Sequence, residues 1–134
     1  MGWNSSTTSS VILQDVCVPD THLIGAEGQG FSIAMQGLNG GRVNIASCSL
    51  GGATESLDLA LDYVKIRSQF KSPLVEFQTV QFKLADIFTA LSASRLMIRQ
   101  AALLLDKNDK NAATYCAMAK LFATDACFNV NTLF

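Results

Sequence analysis

Histidine is almost missing from this chain: His22 stands alone among 134 residues. The four cysteines, Cys17, Cys48, Cys116 and Cys127, have no C-x-x-C spacing, and three of them lie far along the chain from that histidine. A metal-ligating cluster is therefore not expected, and the thiols read as reduced and buried. An excess of either charge is lacking too, since the net charge is −1 at pH 7, which argues against an electrostatic binder of polyanions. No apolar run approaches the length needed to cross a bilayer. The opening MGWNSSTTSS has neither the basic flank nor the apolar stretch of a secretory signal, and no arginine precedes Arg42, so an arginine-rich mitochondrial address is missing from this stretch. Together these absences lead us to expect a cytosolic or organelle-matrix protein. Glycines do cluster in Gly25-Ala26-Glu27-Gly28-Gln29-Gly30, but without a preceding strand and the required spacing they make a poor dinucleotide fingerprint.

What remains is helical periodicity in a chain of 49% hydrophobic content, long enough for one domain with a core. Val11, Ile12, Leu13, Val16 and Val18 form a β-branched run ended by Pro19, which predicts one short strand in need of partners. A glycine-broken loop then leads to a helical turn from Phe31 to Leu38. The first long helix is expected to begin near Asn39 to Gly41 and run to about Ser68, with Val43, Ala46, Leu50, Ala53, Leu57, Ala60 and Val64 stepping by three and four. Gly51 and Gly52 inside it predict close approach of a neighbouring helix. Pro73 closes a turn, and a second helix over about 76–106 carries Val80, Leu84, Ile87, Leu91, Ile98, Ala101 and Leu105, with Ser94 as its one polar step. DKNDKN at 106–111 breaks the pattern and offers Asp109 or Asn111 as a cap. The third helix, Ala112 to about Val130, is apolar on nearly every side, so three helices leave it undercovered and a fourth helix or another subunit is required.

Taken alone, the polar residues read plainly. Arg67 ends the first helix, where a cation suits the negative pole of the dipole or a surface ion pair. Asn39-Gly40-Gly41-Arg42 reads as a helix cap with flexible glycines. Phe70 and Phe77 could be core aromatics. Glu55, Asp58 and Asp62 make a solvated row, and Asp86 is expected to pair with a base on another helix.

Three stretches, RSQFKSPLVEFQTVQFKLAD at 67–86, VPDTHLIGAEGQGF at 18–31 and LNGGRVNIASCSLGGA at 38–53, carry a likeness from Gly2 to about Phe128. The chain resembles the acyl-CoA dehydrogenases and looks most like their isobutyryl-CoA dehydrogenase branch. The resemblance implies a mainly α fold, three long helices of an incomplete antiparallel four-helix bundle with a short N-terminal strand remnant, divided into 1–25 (end of a middle β-domain and linker) and 26–134 (part of the C-terminal helical domain). It implies FAD as cofactor and assigns Arg67, Ser68, Gln69, Phe70, Phe77 and Gln78 to its adenosine-diphosphate portion in a neighbouring subunit, the guanidinium offering a donor fork to phosphate. Asn39, Gly40, Gly41 and Arg42 would face the acyl-CoA substrate, with the glycines leaving room for a branched acyl chain. The implied reaction is α,β-dehydrogenation of a short branched acyl-CoA in valine catabolism, in a mitochondrial matrix homotetramer that hands electrons to an electron-transferring flavoprotein.

Two departures bear on that assignment. Where the family usually has glycine after R-x-Q-F stands Lys71, which either strains a turn of positive φ or adds a charge near the diphosphate. Isovaleryl-type relatives place a glutamate base immediately before the arginine, where this chain has Gly41, and the other base position lies beyond Phe134. The expectation is thus a truncated enzyme lacking its catalytic glutamate, inactive by itself, or else a non-catalytic helical module that docks on full-length subunits.

Overall fold

The computed structural model describes residues 4–132 and consists of three long helices joined by a tight hairpin and a short turn. Helix α1 spans Gly30–Ile66, strands β1 (Ser68–Gln69) and β2 (Ser72–Pro73) form the hairpin, and helices α2 (Gln78–Asp106) and α3 (Ala112–Thr132) follow. Single turns of 3-10 helix lie at Asp20–His22 and Leu74–Glu76. The three expected helices are all present, as is their antiparallel succession.

Several boundaries differ from the sequence expectation. The turn at 31–38 and the helix expected from Asn39 are one continuous helix, because glycine weakens a helix without blocking its hydrogen bonds. Asn39 is therefore no cap: its Oδ1 accepts a 2.8 Å hydrogen bond from Arg42 Nη1 one turn on. The β-branched run at 11–18 forms no ladder, since a strand requires a partner and the described residues contain no other extended segment of its length. Gly51 and Gly52 lie on the exposed face of α1, where a side-chain carbon would meet no neighbour within 4 Å, so they mark no close helix approach within this chain. The loop before α3 is organised by Asp109, whose Oδ1 accepts from Asn111 N–H at 2.8 Å.

The core runs as two layers along α3. In one, Ala46 of α1 meets Ile98 and Ala101 of α2 and Cys116, Ala119 and Ala123 of α3. In the other, Ala53 and Leu57 meet Ile87, Leu91, Cys127 and Val130. Residue numbers rise together in α1 and α3 and oppositely in α2 and α3. Helix α3 thus lies parallel to α1 and antiparallel to α2, in the groove between them. Alanines dominate the layer near the α2–α3 turn and branched side chains the layer near the hairpin, so small residues let the helices approach at one end and bulk fills the other. Ser94, fully buried in the α2 stripe, is satisfied by its own helix, its Oγ donating to Ala90 O at 2.8 Å.

The outer faces are less complete. The acidic row on α1 is exposed, as expected, and Asp62 makes the only ion pair among the described residues, 3.5 Å from Lys65 Nζ. Asp86 gains no basic partner: the ionisable residue of α3 on the same groove, Asp125, is another acid. They border an apolar groove of about 560 Å³ between α2 and α3, floored by Ile87, Ala90, Phe122 and Val130. Leu121 at its edge is more than half exposed, as are Phe128, Phe82 and Leu96 elsewhere on α2 and α3. An apolar surface of this kind favours association. We expect the isolated polypeptide to bind a hydrophobic dye and to self-associate in light scattering; a monodisperse, dye-free monomer would count against an open bundle seam.

Candidate functional site

Helix α1 ends where Arg67 turns to extended geometry (φ −71°, ψ 123°), its N–H still bonded to Tyr63 O at 2.9 Å. The chain then doubles back at once. Ser68 pairs with Pro73 and Gln69 with Ser72, and Leu74 N–H donates to Arg67 O at 2.8 Å. Only Phe70 and Lys71 remain to make the turn, and both take positive φ, +51° and +69°. A two-residue hairpin with both central residues left-handed is the type I′ arrangement, which matches strand twist but favours Asn and Gly. Each non-glycine residue there costs roughly 1–2 kcal/mol. Lys71 therefore does occupy a position needing a positive backbone angle.

After β2 the 3-10 turn Leu74–Glu76 leads to extended Phe77 and to Gln78, the first residue of α2. Gln81 Nε2 donates to Val75 O at 3.0 Å and holds this corner to the helix. The hairpin thus joins the end of α1 to the start of α2 and sets Arg67 and Gln78 on its two legs. Both side chains are exposed, as are Ser68 and Gln69. Phe70 is 89% exposed and is no core residue; half-buried Phe77 meets it edge-on, ring centres 6.4 Å apart at 81°. Among the described residues Arg67 has no carboxylate within 4.0 Å, and α2 begins here with first-turn N–H groups that its own helix does not use. A free guanidinium, two amides, a hydroxyl and a positive helix pole form a donor set suited to a diphosphate, with aromatic rings beside it. The FAD expected from the resemblance fits these residues.

The other expected constellation lies far away. Asn39, Gly40, Gly41 and Arg42 sit well inside α1, and Arg42 lies about 38 Å from Arg67 along the axis at 1.5 Å per residue. Side-chain carbons built on Gly40 or Gly41 would meet open space. Asn39 lines a cavity of about 300 Å³ together with Gln36 and the α2–α3 turn residues Asn108, Asp109 and Lys110. The sequence marks that turn as a helix break with a candidate cap and not as a cavity wall; the sole signal available was its density of polar side chains. Arg42 also faces Cys116, whose thiol pKa is pushed up by burial and partly drawn back by the guanidinium.

Cys127 is likewise raised by burial, with the neighbouring Ser94 hydroxyl drawing it partly back. Because each folded thiol ionises above its ordinary 9.0, folding is unaffected below about that pH and loses stability above it, where the unfolded thiols ionise first. Cys17 and Cys48 are exposed. Iodoacetamide near neutral pH should therefore modify Cys17 and Cys48 quickly and Cys116 and Cys127 only on unfolding, as peptide mass mapping would record. Equal rates at all four would contradict the burial described here.

Comparison with known proteins agrees with this architecture. The profile of the acyl-CoA dehydrogenase C-terminal domain matches residues 28–133. The chain belongs to the acyl-CoA dehydrogenase family. In particular, it is 59% identical over 130 residues to the mitochondrial isobutyryl-CoA dehydrogenase of Dictyostelium discoideum, covering 97% of this chain and 31% of that protein. The solved butyryl-CoA dehydrogenase of Megasphaera elsdenii superposes with a TM-score of 0.86 at 39% identity, over 91% of this chain and 32% of that one. A structure of PigA with FAD and proline gives a TM-score of 0.80 at 28% identity, over 90% of this chain and 31% of that one. The chain thus spans about a third of the length of the relatives it matches.

Proposed function

We propose that the chain serves an FAD-dependent acyl-CoA dehydrogenase acting on a short branched acyl-CoA, with isobutyryl-CoA, a valine catabolite, as the preferred substrate. The observation that carries this reading is the hairpin that presents Arg67 and Gln78, both free of partners in the described residues, at one exposed corner. Arg67 would grip the diphosphate, Ser68, Gln69 and Gln78 would donate to the nucleotide, and Phe70 and Phe77 would wall it. Asn39 would hold Arg42 toward the substrate through the bond at 2.8 Å, with Gly40 and Gly41 leaving room for the branched acyl group. The chemistry supplied by bound FAD is acceptance of the β-hydrogen as hydride. With Gly41 before Arg42, the α-proton acceptor comes from elsewhere in the enzyme.

The separation along α1 supports sharing between subunits. About 38 Å exceeds the reach from a flavin ring to its own diphosphate, so one copy's Arg42 and Arg67 serve different active sites. A homo-oligomer, a tetramer by resemblance, follows, with residues 26–134 as part of its helical domain and residues 1–25 as the approach from a β-domain. A mitochondrial matrix location and electron transfer to an electron-transferring flavoprotein complete the reading. Anaerobic addition of isobutyryl-CoA to the assembled flavoenzyme should bleach its visible flavin absorbance. Persistence of colour with isobutyryl-CoA and with other short acyl-CoA thioesters would reject the assignment.

A further inference from the structure

We propose that Lys71 is a second cationic anchor for the diphosphate of FAD, an inference that rests on reading this hairpin as a nucleotide-reaching arm. Its starting point is strain. Phe70 and Lys71 are consecutive non-glycine residues of left-handed backbone at an exposed tip. Phe70 obtains an edge contact with Phe77, but Lys71 has no side-chain hydrogen bond and no carboxylate within 4.0 Å among the described residues. The ladder enforces this backbone but leaves the Lys71 side chain unpartnered, and an enforced left-handed residue at an exposed tip motivates a functional reading. Glycine or asparagine would make the same turn with less strain, so what Lys71 adds there is its ammonium.

Placement identifies what the ammonium meets. Arg67 and Lys71 lie on one two-stranded hairpin, and strand geometry puts their backbones within about 10 Å. Two extended cationic side chains spanning that gap can converge on a doubly charged group. The acid that follows the hairpin, Glu76 of the 3-10 turn, forms no ion pair with either cation. A guanidinium fork and a mobile point charge are complementary ways to hold neighbouring phosphates.

The test measures FAD release from the assembled flavoenzyme by recovery of flavin fluorescence at low and high salt. Lys71→Asn keeps the turn and removes the charge, Lys71→Gly relaxes the turn and removes the charge, and Lys71→Arg keeps the charge. Both neutral variants should hold FAD about tenfold more weakly with a shallower salt dependence, while Lys71→Arg matches the parent. Lys71→Gly should also melt at a higher temperature than the parent although it retains FAD less well, a combination that a purely structural lysine cannot give. Parent-like FAD retention in both neutral variants, with Arg67→Met still weakening it, overturns the role of Lys71 alone. Parent-like retention in Arg67→Met as well overturns the reading of the hairpin on which it rests.

Discussion

Arg67→Met should weaken FAD retention by about a hundredfold, equivalent to nearly 3 kcal/mol, because under the proposed role it removes a charge-assisted donor fork from a diphosphate. The helix should not notice. Arg67 is exposed and leaves α1 through its backbone alone, its N–H on Tyr63 O and its carbonyl on Leu74 N–H. A circular-dichroism melt of the apo polypeptide should therefore coincide with that of the parent while flavin fluorescence reports easier release. Arg67→Lys should restore part of the loss and no more, since an ammonium offers charge without paired, planar donors. A loss below about twofold in Arg67→Met would remove this residue from the nucleotide site.

The second large effect concerns the bundle. Ile87 is 2% exposed, enclosed by Ala53, Leu57, Leu91, Cys127 and Val130 from all three helices. Truncation to alanine deletes three carbons at the point where α3 seals against α1 and α2, and should cost about 3 kcal/mol. For a chain of this size that lowers the melting midpoint by roughly 10 °C. The adjacent Phe88 is a sharp control, because it is larger yet 64% exposed. Phe88→Ala should leave the midpoint nearly unchanged and reduce dye binding. If Phe88→Ala proved the more destabilising of the two, the inward stripe of α2 would be wrongly assigned.

That stripe was legible in the sequence, since Ile87, Leu91, Ile98 and Ala101 recur with the period of a helix and nothing about a helix depends on distant chain. The start of α1 was not, because Asn39-Gly40-Gly41 carries the composition of a cap while its actual use is internal, with Asn39 bonded to Arg42. Residues 11–18 show the opposite failure: β-branched side chains favour extended backbone, but pairing depends on a partner that local sequence does not reveal. The hairpin fell between these cases. Pro73 and the R-x-Q-F run indicated a turn, and the possible strain at Lys71 could be stated as a condition, yet Phe-Lys has none of the Asn-Gly character by which a two-residue turn is recognised. Only backbone angles disclosed that Phe70 shares the left-handed geometry.

The unbroken course of α1 has a consequence for inheritance as well as for chemistry. On the reading proposed above, a rod capped by Arg67 that carries Arg42 about 38 Å away would make each polypeptide a donor to one catalytic centre and a recipient at another. Two differently damaged alleles, one altered at Arg42 and one at Arg67, would then assemble mixed particles in which a pocket escapes both lesions. Co-expression of the two defective forms should recover measurable turnover that neither yields when produced by itself.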